Sequence, residues 1–183
     1  LKAMQQRKHE LVGLIATRRD VDGVPGPDDL HEMGTVCRIH RVHREDDQLQ
    51  VLLEGLQRFR VRQWIQREPP LLANVQYFPQ RADSRSEEQK AYAVAIINTI
   101  KELIPLNPLY GEELKVFLTR SNPNEPSLLA DFAASLTSAG KEDLQEVLET
   151  IPVQRRLEKV VELLHREVEI AQAQMDIRKQ VEA

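Results

Sequence analysis

Cysteine is nearly missing from this sequence: its 183 residues include one, Cys37. No intrachain disulfide can form, and no zinc site can be built from paired cysteines. A reducing compartment, the cytoplasm, is therefore expected. Aromatic residues make up only 4%, so each is locally informative, the lone Trp64 above all. No apolar run reaches the roughly 20 residues that a membrane-spanning helix needs, and no membrane partner is expected. Residues 1–10 hold no apolar stretch of signal-peptide type, and the first residue is Leu1 rather than methionine, which suggests a piece of a longer product. Positive charge is not in excess either. A formal net charge of −4 and a pI near 5.8 argue against a protein whose main work is to neutralise phosphates.

Motifs of catalysis are absent as well. There is no GxxxxGK[ST] loop to wrap backbone amides around a triphosphate, so ATP hydrolysis by this stretch is not expected. No GxSxG elbow occurs, and Ser84, Ser86, Ser121, Ser127, Ser135 and Ser138 have no histidine near them in sequence. His31, His40 and His43 invite a metal reading. On a regular strand, however, the odd spacing of His40 and His43 sends them to opposite faces, so surface histidines are the simpler account and no metal ligands are assigned.

What is present is a composition of a folded protein, 41% hydrophobic and 30% charged, long enough for a core. Two periodicities divide it. Up to about Gln80 the apolar residues fall in short Val-, Ile- and Leu-rich stretches between turn formers, which reads as strands. Leu11 to Ala16 is one such stretch. Asp20 to Asp29, with Gly23, Pro25, Gly26 and Pro27, reads as a loop. From Met33 to His43, regular alternation would put Val36, Arg38, His40 and Val42 on one face and Cys37, Ile39 and Arg41 on the other. Residues 45–48 supply a hairpin turn into a strand over Leu49 to Val61, where Gly55 marks a bulge or bend of the kind that curls a sheet. Pro69 and Pro70 break the chain before a last strand, Leu72 to Phe78.

Helical spacing follows. Ser84 and Glu87 have capping-box spacing, and Ala93, Ile96, Ile97, Ile100 and Ile104 recur as a helix face until Pro105 and Pro108. Further helices are expected over Glu112 to Thr119, over Leu128 to Leu136 with Gly140 as a C-terminal cap, and over Asp143 to Glu149. From Val153 a seam of Val153, Leu157, Val160, Leu164, Val168, Ala171 and Met175 resembles that of a coiled coil. These patterns predict an α+β chain of three parts: a β-rich lobe over 1–80, a helical lobe over 81–152, and a long projecting helix over 153–183. Leu157, Val160, Leu164, Val168 and Met175 are the expected assembly residues.

Two surface features could carry function. Pro25, Leu30 and Met33 at the first loop, and Trp64, Pro69, Pro70, Leu71 and Leu72 at a later one, gather large apolar groups where the chain turns. Either they plug the ends of a small barrel, or they form a shallow surface for unfolded polypeptide. The arginine-rich strands, Arg38 to Arg44 and Arg58 to Arg62, could grip single-stranded nucleic acid with Phe59 and Trp64 nearby. The interleaved Glu45, Asp46, Asp47, Glu54 and Glu68 make nucleic acid the lesser reading.

Several blocks together resemble a known family. Pro25-Gly-Pro-Asp-Asp-Leu30, Met33-Gly-Thr-Val-Cys-Arg-Ile39 and Val51-Leu-Leu-Glu-Gly-Leu-Gln-Arg-Phe-Arg-Val61 resemble the N-terminal domain of bacterial Lon proteases. The resemblance continues through Asp131-Phe-Ala-Ala-Ser135, Lys141 to Glu149 and Arg156 to Leu164. It implies a small pseudo-barrel β lobe of PUA-like type, then a helical bundle lobe and a long C-terminal helix. It also implies a non-catalytic region that recognises unfolded or damaged proteins and degrons, and that helps a homohexameric parent assemble. No cofactor is implied for this region, since ATP and magnesium belong to the family's AAA+ module, which lies apart from the serine–lysine peptidase domain. Family members usually begin with an earlier strand, and this chain starts at what looks like the following helix, Leu1 to Lys8, so a sheet edge without a partner is expected. Pro152 stands where many relatives place an aspartate, and offers no capping oxygen.

Overall fold

The computed structural model describes residues 11–45, 48–79, 86–106, 111–120, 122 and 124–181. The expected helix over Leu1 to Lys8 and the cap at Ser84 lie outside these. The chain divides into two compact units, 1–80 and 81–183, one built on strands and one on helices.

In the first unit, β1 (Leu11–Leu14), β2 (Met33–Glu45), β3 (Gln48–Gln66) and β4 (Leu72–Phe78) form an antiparallel meander in the order β1-β2-β3-β4. Short loops favour this neighbour-to-neighbour pairing. Among the described residues β1 and β4 are not partners, so the sheet stays open. Its curvature comes from skipped residues. Leu56, beside Gly55, has no partner on β2, His40 has none on β3, and Arg62 and Ile65 have none on β4. Each extra residue bends its strand and raises the local twist.

The interior of this unit is small: Met33, Cys37, Phe59 and Leu30, with Arg58 beside them. Phe59 is admitted by glycine. A Cβ on Gly34 would lie 2.9 Å from the Phe59 ring and 2.8 Å from Ile15 Cγ1, and would collide with the Leu14 carbonyl. A hydrogen there lets β1, β2 and the ring close up. In the loop before β2, Gly23 takes φ +92°, which side-chain-bearing residues seldom adopt.

The second unit holds α1 (Glu87–Leu106), α2 (Gly111–Arg120), α3 (Pro126–Ser135), α4 (Lys141–Glu149) and α5 (Val153–Val181). Ser86 caps α1, its hydroxyl accepting the Gln89 N–H at 3.1 Å. Ser86 and Gln89 have the same box spacing as Ser84 and Glu87, two residues later. Pro105 sits inside the last turn of α1 rather than ending it, and Pro126 opens α3 at its first position. Gly140 departs from expectation. Its φ of −67° and ψ of 164° make it the N-cap of α4, while α3 has already ended at Ser135 with a C-cap at Leu136.

The α5 seam also departs from expectation. Leu157, Val160 and Leu164 are fully buried, packed with Ala93, Ile96 and Ile100 of α1 and Ala130 and Ala133 of α3. They form the interior of the second unit, where their side chains meet α1 and α3. The packing shows no break after 152, and α5 belongs to the same unit as the helices before it. Only the last turns leave the core: Val168 packs at its margin, Met175 is half-buried, and Ile177 and Val181 are 61% and 81% exposed. Arg156 pins the start of α5. Its guanidinium donates to the Thr150 and Ile151 carbonyls at 2.9 and 3.0 Å, to Ser127 Oγ at 2.9 Å and to Asp131 Oδ1 at 3.3 Å.

Candidate functional site

The loop between β1 and β2 folds back against β3 because its own groups hold it there. Gly26 donates its N–H to Asp29 Oδ2 at 3.0 Å, which tightens the turn that contains Pro27. That bond, then the Arg19 guanidinium at 3.1 Å, holds the Asp29 carboxyl below its ordinary pKa. Arg18 ties both ends of the loop, its N–H to the Asp29 carbonyl at 2.7 Å and its Nε to the Leu30 carbonyl at 2.8 Å. The Val61 N–H reaches the Glu32 carbonyl at 2.8 Å. Arg67, just past β3, donates to both oxygens of Asp28 at 2.9 Å.

These ties frame an open cleft of about 380 Å³, bordered by Arg18, Pro27, Leu30, Glu32, Arg62 and Trp64. Its apolar groups are Pro27, Leu30, Val61 and Trp64, and both signs of charge stand at its rim. A mouth of this composition suits a polypeptide, whose segments carry apolar side chains and backbone dipoles together.

The apolar residues singled out from the sequence divide. Leu30 and Met33 are 8% and 1% exposed, so they are plugs of the β-unit interior, because the loop folds over the sheet end and takes them out of water. Pro25, Trp64 and Leu71 are half-buried, and Pro69, Pro70 and Leu72 are exposed. The structure brings Leu30 and Trp64 to one cleft. Outside the cleft it exposes apolar residues that alternation alone did not mark. Ile65 is 64% exposed because it is the unpaired residue between Trp64 and Gln66, and Tyr77 on β4 is 51% exposed. No sequence signal separates Ile65 from the strand residues on either side of it.

The arginine strands do not form one open basic face. Arg58 is buried, Arg60 lies over the Phe78 ring at 5.8 Å, and Arg62 donates to Gln76. His40 and His43 share a face, not opposite ones, because the bulge at His40 shifts the alternation. Among the described residues no group of three metal-ligating side chains occurs, and no helix is long and apolar enough to cross a membrane.

The α+β chain thus carries an open cleft between the β1–β2 loop and β3. The fold is that of a solved N-terminal domain of a Mycobacterium avium complex Lon protease, with a TM-score of 0.61, 20% identity, and coverage of 84% of this chain and 77% of that one. A Xanthomonas campestris Lon N-terminal domain protein matches at a TM-score of 0.50 with 21% identity, over 82% of this chain and 88% of that one. Residues 1–166 match the family described as the ATP-dependent protease La (LON) substrate-binding domain. The chain belongs to that family. It is 41% identical over its whole length to Lon protease 2 of Hydrogenovibrio crunogenus, and 42% identical over 94% of its length to Lon protease 1 of Syntrophotalea carbinolica. It spans about a fifth, 21%, of each of these relatives. The stretch thus corresponds to the substrate-binding domain of these longer proteins.

Proposed function

We propose that this domain holds unfolded or damaged protein segments and degrons for an ATP-dependent motor and peptidase in its parent protein. The observation that carries this reading is the cleft of Arg18, Pro27, Glu32, Arg62 and Trp64, followed along the chain by the exposed Ile65, Pro69, Pro70 and Leu72. Contact there is shallow. Shallow contact suits a processing machine, since affinity that is lost quickly lets a segment be pulled onward. The work is placed in the cytoplasm, with protein clients and neither nucleic acid nor a membrane as partners.

Trp64 is the only tryptophan, so its fluorescence reports the cleft directly. Titration with a permanently unfolded, carboxymethylated protein is expected to shift the emission, while the folded parent of that protein does not. Trp64→Ala, read with a labelled client, should lose about 2 kcal/mol, roughly thirtyfold in Kd, as for a central aromatic anchor. Equal binding of folded and unfolded protein, or an unchanged Kd in a folded variant, would refute the reading.

A second reading, self-association within a homohexameric parent, is favoured by the free end of α5. There Val168 and Met175 continue the seam and Ile177 and Val181 face water. Truncation after Leu164 would expose the second unit's core, so the informative change is Ile177→Ser with Val181→Ser, with oligomeric state followed by sedimentation.

A further inference from the structure

The β2–β3 hairpin is longer than the sheet that supports it. β1 reaches along β2 only to Arg38, and β4 meets β3 only from Arg58 onward. The outer hairpin, 39–45 against 48–54, is therefore a two-stranded arm, and among the described residues neither of its edges has a partner.

The bulge at His40 sorts the side chains of this arm. Ile39 pairs with Leu53 and Val42 with Val51, and Arg44 faces Leu49. Because one residue is skipped between them, Ile39 and Val42 share a face that regular alternation would have split. The opposite face carries Arg38, His40, Arg41 and His43. Glu54 on that face answers Arg38 at 3.3 Å and His40 at 2.8 Å. Arg41, His43 and Arg44 have no ion pair among the described residues.

We propose that the outer edge of β2, Ile39 to Glu45, takes up an extended client segment as an added strand, one whose acidic residues alternate with apolar ones. The proposal rests on the client-binding reading above and names the sequence class it selects. A strand edge presents N–H and C=O groups with a two-residue period, which only another extended polypeptide matches. Alternation would lay the acids beside Arg41 and His43 and the apolar residues beside Ile39 and Val42. The β3 edge offers Gln48, Gln50, Leu52 and Glu54 and no base, so charge selects β2. A second copy of β2 would set this basic strip against itself. Nucleic acid fits less well, since no Phe, Tyr or Trp lies between Arg38 and Glu54 to stack on a base.

The test uses the 183-residue chain and three labelled nonapeptides: alternating Glu and Val, alternating Lys and Val, and the Glu–Val peptide N-methylated at every second residue. The expected result is binding of the first alone, with slowed amide exchange at His40 to Arg44. Arg41→Glu with His43→Glu should weaken it about tenfold without altering the circular dichroism. Equal binding of the glutamate and lysine peptides, or indifference to N-methylation, would overturn the proposal. So would a single-stranded oligonucleotide that binds where the peptide does not, or a change of sedimentation in the double variant that marks the edge as a contact between copies. If an unfolded protein still binds the double variant while the glutamate peptide never bound, only this inference falls. If neither binds the parent chain, the client-binding reading falls with it.

Discussion

Arg156→Met is the sharpest probe of the second unit. The guanidinium is almost wholly buried and ties α5 to two segments: the residues after α4 through the Thr150 and Ile151 carbonyls, and α3 through Ser127 and Asp131. Methionine fills the aliphatic part of the space but donates nothing. It leaves two carbonyls, a hydroxyl and a carboxylate short of a donor, and breaking a buried pair this way costs roughly 3–5 kcal/mol. The Asp131 side chain is 31% exposed and can rehydrate, which places the expectation near the low end, about 3 kcal/mol. For a unit of this size that is a fall of about 12–20 °C in Tm. The assay is thermal unfolding by circular dichroism at the helical band, which reports the second unit because the first is built of strands. Arg155→Met is the control, since Arg155 is exposed one position away and should change Tm little. A fall of no more than about 2 °C for Arg156→Met would show that the guanidinium network contributes nothing to stability.

Gly34→Ala should destabilise the β unit by about 1–3 kcal/mol through overpacking, because its Cβ meets the Leu14 backbone as well as Phe59 and Ile15. Gly13→Ala should cost less, since its Cβ meets the Phe59 ring alone; equal losses in denaturant melts would sink the argument. Leu164→Ala should cost about 2–5 kcal/mol, whereas Ile177→Ala should be close to neutral, which calorimetry of the two variants checks. Burial raises the pKa of the Cys37 thiol, so a charged disulfide reagent at pH 8 should modify it only as the β unit opens, and rapid labelling of the native chain would refute this. The Asp29 carboxyl lies below its ordinary pKa through the Gly26 N–H and Arg19. Its support of the loop should therefore be full above the ordinary carboxylate range and fade only as pH falls through the lowered pKa. The Gly26 amide resonance should follow that fall, and in Asp29→Asn it should not titrate.

Much of this architecture was legible in the chain because it rests on local chemistry. Period-two stretches ended by Asp20 to Asp29 and by Pro69 and Pro70 mark the strands. The four-and-three steps from Val153 mark α5, and Pro126 marks the start of α3. Alternation and helical spacing depend on which face meets an interior, and that is written in residue order. The family resemblance rests on the same order of residues.

Tertiary packing decided the rest, wherever two local solutions were nearly equal in energy. Ser84 and Ser86 both offer a cap, and Gly140 can close one helix or open the next. Arg155 and Arg156 look alike in sequence, yet one faces water and the other ties α3 to the α4–α5 junction. A seam such as Leu157, Val160 and Leu164 reads the same whether its partner is another copy or the chain's own α1 and α3. The bulge at His40, which separates base from apolar side chain along β2, depends on register against β3. Register is a long-range choice that single-strand alternation does not contain.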